Sequence, residues 1–327
     1  MSSAKGRRNF MPGAYAHLTL VNLAREPHRL TAADIPPDVG RALMRNLKYV
    51  ELGAVSPDLP YLTLDLLQWP PGLDARAKQW ADKMHYERTG EVLASGLRLL
   101  RDRTGPDWEK GVAWLFGYAA HMAADLTIHP VVELKVGPYH ANQKDHRRCE
   151  MYQDAHVFYR LNLGDIGDSE HLDSGIKACV DDSGSLDCDI EDLWKRILAD
   201  VYPEGYQSNE PQPADWHAGF SSLLDTVEEG TRLFAWARHV GAHTGMSYTT
   251  EEDIDSTFIE DLEIPGGERL HYDALFDRAV DNVLRFWAQL AEGLKQPTAP
   301  IFAQLGNWNL DTGKDTETKE YVFWGVA

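Results

Sequence analysis

The chain has 327 residues, of which 43% are hydrophobic, enough to bury a large core without disulfide or metal staples. Acidic residues outnumber basic ones by 51 to 32, and the net charge of −19 disfavours long polyanions, whose binding depends on Lys and Arg. The three cysteines match no disulfide framework or zinc ribbon, and no stretch approaches the ~18 apolar residues that span a bilayer.

The amino-terminal segment carries an incomplete export signal. Arg7 and Arg8 resemble a twin-arginine pair, but Pro12 and Gly13 follow where an apolar stretch is required. Mean hydropathy is −0.41. We therefore expect a soluble, cytoplasmic protein with no transmembrane segment.

Helical spacing of apolar residues dominates the chain, and strand-like alternation is nearly absent. The predicted helices cover residues 17–24, 39–49, 75–84, 87–103, 108–128, 142–161, 190–202, 215–240 and 270–294. Pro130 is expected to end the helix that begins at Trp108. The pattern predicts an all-α protein, a multi-helix bundle forming one domain over residues 1–327.

Two polar segments are predicted to be insertions or loops. Residues 164–213 are rich in Gly, Asp and Ser and contain one predicted helix, and residues 245–268 form a second polar stretch. The run 309–313 is turn-like and is predicted to be a surface turn, with closure over a cleft as the alternative. The final residues, Tyr321 to Trp324, are too apolar for a free tail, and we expect them to pack on the body of the protein.

Two of the predicted helices carry His and acidic residues four positions apart, and this spacing places them on one helix face. One helix contains His121, Asp125 and His129, and the other contains His146 and Glu150. A single such pair is typical of a surface hydrogen bond or ion pair. The clustering of all five within thirty residues instead predicts a metal site between two facing helices.

The residue types indicate which metal would bind. A ligand set rich in imidazole, with Asp58 and His85 available upstream, favours zinc over magnesium, which prefers oxygen ligands. The Glu-x-x-His repeats of di-iron bundles are missing. Another class of helical metal phosphohydrolases is marked by an adjacent His-Asp pair, whereas here Asp145 precedes His146. The sequence therefore predicts zinc.

Five sequence blocks resemble the zinc-dependent phospholipase C family, whose relatives include the zinc-dependent single-strand nucleases. The blocks follow the family's order over about residues 11 to 160. They are residues 16–22 (AHLTLVN), residues 53–58 (GAVSPD), His85 before a helix, His121-x3-Asp125-x3-His129 and His146-x3-Glu150. The resemblance implies a helical bundle of that family's type with polar loop insertions.

The resemblance also implies roles for eight individual residues as zinc ligands. A first zinc ion would be held by Asp58, His85, His121 and Asp125. A second would be held by His129, His146 and Glu150, and a third by His17, with Asp125 as a bridge. Secreted family members complete the third site with an amino-terminal Trp, and no Trp precedes His17 here, so two or three zinc ions are implied.

In this family, clustered zinc ions neutralise the oxygens of a phosphodiester, lower the pKa of a bound water and align that water with the phosphorus atom. The resemblance implies that Asp58 is also the catalytic residue that orients or deprotonates this water. The phospholipases have a choline-binding aromatic residue after the equivalent aspartate, whereas Leu59 follows Asp58 here. Choline specificity is therefore not implied, and no substrate-binding residue is assigned.

The leading hypothesis is phospholipase C-like hydrolysis of a phospholipid or a smaller phosphodiester. A single-strand nuclease that uses the same cluster ranks second, because the acidic balance disfavours nucleic acid. A non-catalytic, metal-stabilised helical protein and an enzyme of the same fold with another substrate are further alternatives. The sequence does not indicate the oligomeric state.

Overall fold

The computed structural model describes residues 14–64, 73–163, 175–222 and 251–325. The helices are α1 Ala14–Ala24, α2 Pro27–Ala32, α3 Pro37–Arg45, α4 Leu47–Val55, α5 Leu59–Leu64, α6 Leu73–Tyr86, α7 Thr89–Leu100, α8 Pro106–Val136, α9 Tyr139–Arg160, α10 Cys188–Val201, α11 Pro203–Ser208, α12 Tyr272–Lys295 and α13 Ile301–Gln304. Residues 175–177 and 213–222 are also helical. Among the described residues the predicted all-α fold is confirmed.

The remaining regular structure is short. Two 3-10 turns span Glu251–Asp253 and Ser256–Phe258. Two antiparallel hairpins pair β1 Leu262–Glu263 with β2 Arg269–Leu270 and β3 Trp308–Asn309 with β4 Lys314–Asp315. Each strand has only two residues, so neither hairpin forms a layer of the fold.

Helix α8 is the centre of the bundle. It has 31 residues, and every residue from Gly111 to Ile128 is buried. Helices α1, α3, α4, α7, α9, α10 and α12 all pack against it. A helix that is apolar on all sides is stable only inside a protein, and neighbours therefore surround α8. Two of its three ligand candidates, His121 and Asp125, are consequently buried in the interior.

The prediction that Pro130 ends this helix was wrong, because α8 continues to Val136 with Pro130 inside it. Proline removes one backbone donor, but buried apolar residues on its far side, Val131 and Val132, extend the helix against the core. Packing therefore outweighs the local cost. As a result His129 stays within a regular helix, one turn after Asp125.

Helices α4 and α8 cross at two glycines. A Cβ atom added to Gly53 would overlap the carbonyl oxygen of Trp114, and one added to Gly117 would overlap the carbonyl oxygen of Val50. The two backbones therefore touch directly, which only glycine permits. This crossing brings the carboxyl end of α4, where Asp58 follows, next to the middle of α8.

Aromatic side chains fill the space around α8. The indole of Trp114 donates to Ser56 Oγ (2.9 Å), and the indole of Trp287 in α12 donates to the Phe116 carbonyl (2.7 Å). The ring of Trp194 in α10 lies 5.4 Å from that of Trp114. These rings bury large apolar areas, and the N–H groups of Trp114 and Trp287 are paired, whereas that of Trp194 has no hydrogen-bond partner among the described residues. Helix α10 is thus part of the same core as α8.

The described ends of the predicted insertions connect to this core. Residues 164–174 and 245–250 lie outside the described residues, as does most of the helix predicted over 215–240. Residues 215–222 are helical, and residues 251–268 contain the two 3-10 turns and strand β1. The division into one domain with two insertions stays a prediction.

The prediction that the apolar carboxyl-terminal residues pack on the body is confirmed. Trp324 is 7% exposed, and its indole donates to the Thr127 carbonyl of α8 (3.0 Å). Phe323 meets Phe286 of α12 with ring centroids 5.9 Å apart. In the described parts of the chain, no helix combines the length and hydrophobicity needed to cross a bilayer.

We expect Gly117→Ala to destabilise the protein by about 1–3 kcal/mol, because the added methyl group forces α4 and α8 apart in a packed core. The matched control is Gly40→Ala in α3, where the nearest atom to an added Cβ is Leu30 Cδ1 at 3.9 Å. Alanine is the better helix former, so the control should be neutral or slightly stabilised. Denaturant unfolding of both variants tests this, and equal stabilities would contradict the proposed close crossing.

Candidate metal centre

A cavity opens between the start of α1, the α4–α5 connection and helices α6, α8 and α9. Seven of the eight residues predicted as zinc ligands line it: His17, Asp58, His85, Asp125, His129, His146 and Glu150. The eighth, His121, is 1% exposed and lies beneath the cavity. Side chains from five separate segments of the chain therefore meet at one place.

Asp125 is the most connected carboxylate of this centre. Its Oδ1 atom lies 3.2 Å from His17 Nε2 and 3.6 Å from His129 Nε2, and its Oδ2 atom lies 3.1 Å from His121 Nε2. The rings of His17 and His121 stack with centroids 4.3 Å apart. Asp125 is 2% exposed, so one buried carboxylate faces three imidazoles.

Asp58 forms a second contact group with two of the histidines. Its Oδ1 atom lies 3.2 Å from His85 Nε2, and its Oδ2 atom lies 3.9 Å from His121 Nδ1. The Asp58 amide donates to the Val55 carbonyl (3.1 Å), which holds the residue in a turn directly after α4. The position of this carboxylate is therefore set by where α4 ends.

Four of the histidine rings are held by backbone carbonyls. Each donates one ring N–H to a carbonyl oxygen, so the other ring nitrogen is the one available to bind a metal ion once it is deprotonated. The bonds are His85 Nδ1 to Ala81 O (2.8 Å), His121 Nδ1 to Ala54 O (2.9 Å), His129 Nδ1 to Leu310 O (3.2 Å) and His146 Nε2 to Gly137 O (2.6 Å). Metal-binding histidines in proteins are oriented in the same way.

Three buried atoms of the centre have no hydrogen-bond partner among the described residues: His17 Nδ1, His121 Nε2 and Asp125 Oδ2. His121 Nδ1 donates to the Ala54 carbonyl, and His121 Nε2 faces Asp125 Oδ2 at 3.1 Å. Ligands of a tetrahedral zinc ion are themselves about 3.3 Å apart, so these residues fit zinc.

The predicted ligands differ in how tightly they cluster. Two triads have ligand atoms that all lie within 4.8 Å of one another: His17, His121 and Asp125, and Asp58, His85 and His121. His129, His146 and Glu150 form no such compact triad, although His129 Nε2 lies 3.5 Å from Glu150 Oε1. The structure thus brings the first predicted ligand set closer together than the second.

The charges of the centre shift the pKa values of its members. Burial by itself would lower the pKa of His85, but the hydrogen bond and charge of Asp58 outweigh burial and raise it to about 9. Burial likewise opposes the shift at His129, where the charges of Asp125 and Glu150 raise the pKa to about 9. Burial raises the pKa of Glu150 to about 8. These three groups therefore hold protons at pH 7 when no metal is bound.

Further side chains line the cavity that the sequence did not single out: Tyr61, Tyr86, Tyr139, Gln143, Arg147, Gln153 and Tyr272. Tyr86 and Arg147 directly follow the predicted ligands His85 and His146 in the sequence. This adjacency was the signal by which these two cavity-lining residues could have been predicted. Asp154 is buried and accepts a hydrogen bond from the Ala16 amide (3.0 Å), which ties the start of α1 to α9.

The run 309–313 is not the surface turn that the sequence predicted. Leu310 is fully buried, and Asp311 lines the cavity, where it accepts a hydrogen bond from the Tyr86 hydroxyl (2.8 Å). The prediction failed because turn-forming residues report only on the local backbone. No sequence signal links this turn to helices that precede it by more than a hundred residues.

We expect zinc binding at pH 7 to release protons, because bound zinc requires neutral imidazoles and ionised carboxylates. The protons come from His85, His129 and Glu150, so raising the pH from 7 to 9 should tighten zinc binding and lowering it should weaken binding. Calorimetric zinc titrations in two buffers with different protonation enthalpies measure this release. Identical apparent enthalpies in the two buffers would contradict the expectation.

A family model described as zinc dependent phospholipase C matches residues 16–204. Comparison with curated proteins and with solved structures finds no match. The matched residues make up more than half of the chain and contain all eight of the predicted ligands. The resemblance inferred from the sequence is confirmed at the level of the family. On this evidence the chain belongs to the zinc-dependent phospholipase C family.

Proposed function

We propose that this protein hydrolyses a phosphodiester, in the manner of a phospholipase C, by in-line attack of water at the zinc centre of the cavity. Family membership supports zinc-dependent hydrolysis in general. The observation that carries the specific proposal is the buried triad of His17, His121 and Asp125, whose ligand atoms lie within 4.8 Å of one another. Among the described residues His121 Nε2 and Asp125 Oδ2 have no hydrogen-bond partner, and a zinc ion would bind both atoms beside the cavity.

The proposed ligand sets follow the residues that match the family pattern. One ion would be bound by Asp58, His85, His121 and Asp125, a second by His129, His146 and Glu150, and a third by His17 with Asp125. The tight triads support the first and third sets. We therefore propose two or three zinc ions. Bound there, zinc would neutralise phosphate oxygens and lower the pKa of a water molecule.

Asp58 is the proposed catalytic residue. It lines the cavity, and its side chain is 13% exposed, so the carboxylate borders the space where substrate would lie. Burial opposes ionisation, but His121 and His85 keep the pKa of Asp58 below its usual value. The carboxylate is therefore ionised at neutral pH and able to orient an attacking water or to accept its proton.

The cavity also informs the choice of substrate. Leu59, at the position where phospholipases carry a choline-binding aromatic residue, is fully buried and does not line the cavity. Arg147 is the only Lys or Arg among the described residues that line it. The cavity therefore lacks the row of Lys and Arg side chains that binding of a long polyanion requires, and the net charge of −19 further repels such a ligand. We therefore propose a phospholipid or a smaller phosphodiester rather than single-stranded nucleic acid.

We expect Asp58→Asn to lower the turnover of a chromogenic phosphodiester, bis(p-nitrophenyl) phosphate, at least about a hundredfold, because the amide cannot accept the proton of water. The assay uses saturating zinc, and mass spectrometry of the metal content establishes how much zinc the variant retains. The matched control is Asp277→Asn, which changes a carboxylate that pairs with Arg160 on the exposed surface. Full activity of Asp58→Asn would exclude the proposed role.

Removal of metal gives a second test of the function. We expect a zinc chelator to abolish hydrolysis and added zinc to restore it, because the attacking water depends on the metal for its acidity. The restored enzyme is then assayed on phosphatidylcholine vesicles and on single-stranded DNA, and lipid cleavage is the expected result. Cleavage of DNA alone would favour the nuclease, and bound zinc without hydrolysis of any diester would favour a structural role.

A further inference from the structure

The turn Leu310–Gly313 lies outside the residues that the family model matches, yet it contacts the candidate metal centre. Leu310 is fully buried, and both its amide and its carbonyl form hydrogen bonds with predicted zinc ligands. Its amide donates to the His85 carbonyl (3.0 Å), and its carbonyl accepts from His129 Nδ1 (3.2 Å). One residue of the carboxyl-terminal part of the chain therefore connects α6 to α8 at the centre.

The turn reaches α8 because Gly313 allows it. This glycine has φ +67°, in the left-handed region, and its amide donates to the Asn309 carbonyl (2.9 Å). A Cβ atom added there would overlap the ring of Pro130 and lie 2.9 Å from the Leu126 carbonyl oxygen. Both conformation and space therefore require glycine at this position. The contact falls on the helical turn of α8 that carries His129.

Contacts on both sides hold the turn in place. Before it, the Trp308 amide donates to Thr89 Oγ1 (2.8 Å). After it, the Val322 amide donates to the Gly313 carbonyl (3.0 Å), and the Trp324 indole is bonded to α8. From the cavity side, the Tyr86 hydroxyl donates to Asp311 (2.8 Å). The turn is therefore anchored to three helices, α6, α7 and α8.

We propose that the turn Leu310–Gly313 is a positioning element of the zinc centre, in which the Leu310 carbonyl fixes the ring of His129 and Gly313 lets the turn reach α8. The inference rests on the proposed zinc site. With its Nδ1–H bound to Leu310, the ring presents Nε2 toward Asp125 and Glu150, 3.6 and 3.5 Å away. The functional unit consequently extends beyond residue 204, where the family match ends.

Such a partner matters energetically because it orients the imidazole and raises its basicity as a ligand. Loss of the hydrogen-bond partner of a metal-binding histidine typically costs about 10–100-fold in metal affinity. Here the loss would also leave the Nδ1–H of a largely buried ring unpaired, since His129 is 22% exposed. Displacement of the turn should therefore weaken zinc binding without a change in any ligand.

The test is Gly313→Ala, measured by zinc competition against a chelator and by the zinc-dependent rise in the unfolding midpoint. We expect zinc affinity to fall about tenfold or more, with a smaller zinc-dependent rise in the midpoint than in the wild type. The matched control is Gly184→Ala, which has φ +80° but no atom within 4 Å of an added Cβ. It imposes the same backbone strain away from the turn and should keep wild-type zinc affinity.

If Gly313→Ala does not fold, a second variant tests the same proposal. Tyr86→Phe adds no atom and removes only the hydroxyl that holds Asp311, so zinc binding should weaken in the same direction by a smaller factor. Wild-type zinc affinity in every folded turn variant would overturn the positioning role and leave the proposed function intact. Absence of zinc binding by the wild type itself would instead overturn both.

Discussion

The carboxylate of Asp125 is buried, and the need to surround it with compensating partners constrains the arrangement of the helices. An ionised group removed from water costs several kcal/mol unless charged or polar partners compensate. Here three imidazoles surround it, and each comes from a different turn or helix: His17 from α1, and His121 and His129 from the turns of α8 on either side. Because the partners must meet at one point, the helices that carry them are held in fixed positions.

The fold meets this constraint through backbone contacts. The glycine crossing of α4 and α8 brings the Ala54 carbonyl within reach of His121 and places Asp58 at the cavity. Carbonyl groups accept hydrogen bonds from four of the rings, and three of these rings, those of His85, His121 and His129, turn their other nitrogen toward a carboxylate. Without metal, several of these groups hold protons at pH 7, and zinc would displace them.

The family-matched part of the chain holds all of the predicted ligands, yet it does not make all of the contacts around them. The turn at Leu310 touches both His85 and His129, and Asp311 adds a carboxylate to the cavity. The carboxyl-terminal residues that follow bind back to α8 through Trp324. The last part of the chain therefore contributes to the environment of the candidate metal centre as well as to the core.

Local patterns were sufficient for the helical class, and they indicated five of the candidate ligands, because helical geometry places residues four apart, such as His121 and Asp125, on one face. The grouping of distant blocks, such as Asp58 with His85, was available only through the family resemblance. Tertiary structure decided the rest: α8 continues through Pro130 because buried valines follow it, and Asp311 reaches the cavity because Gly313 fits against α8. These outcomes depend on contacts between residues far apart in the chain, which no local pattern encodes.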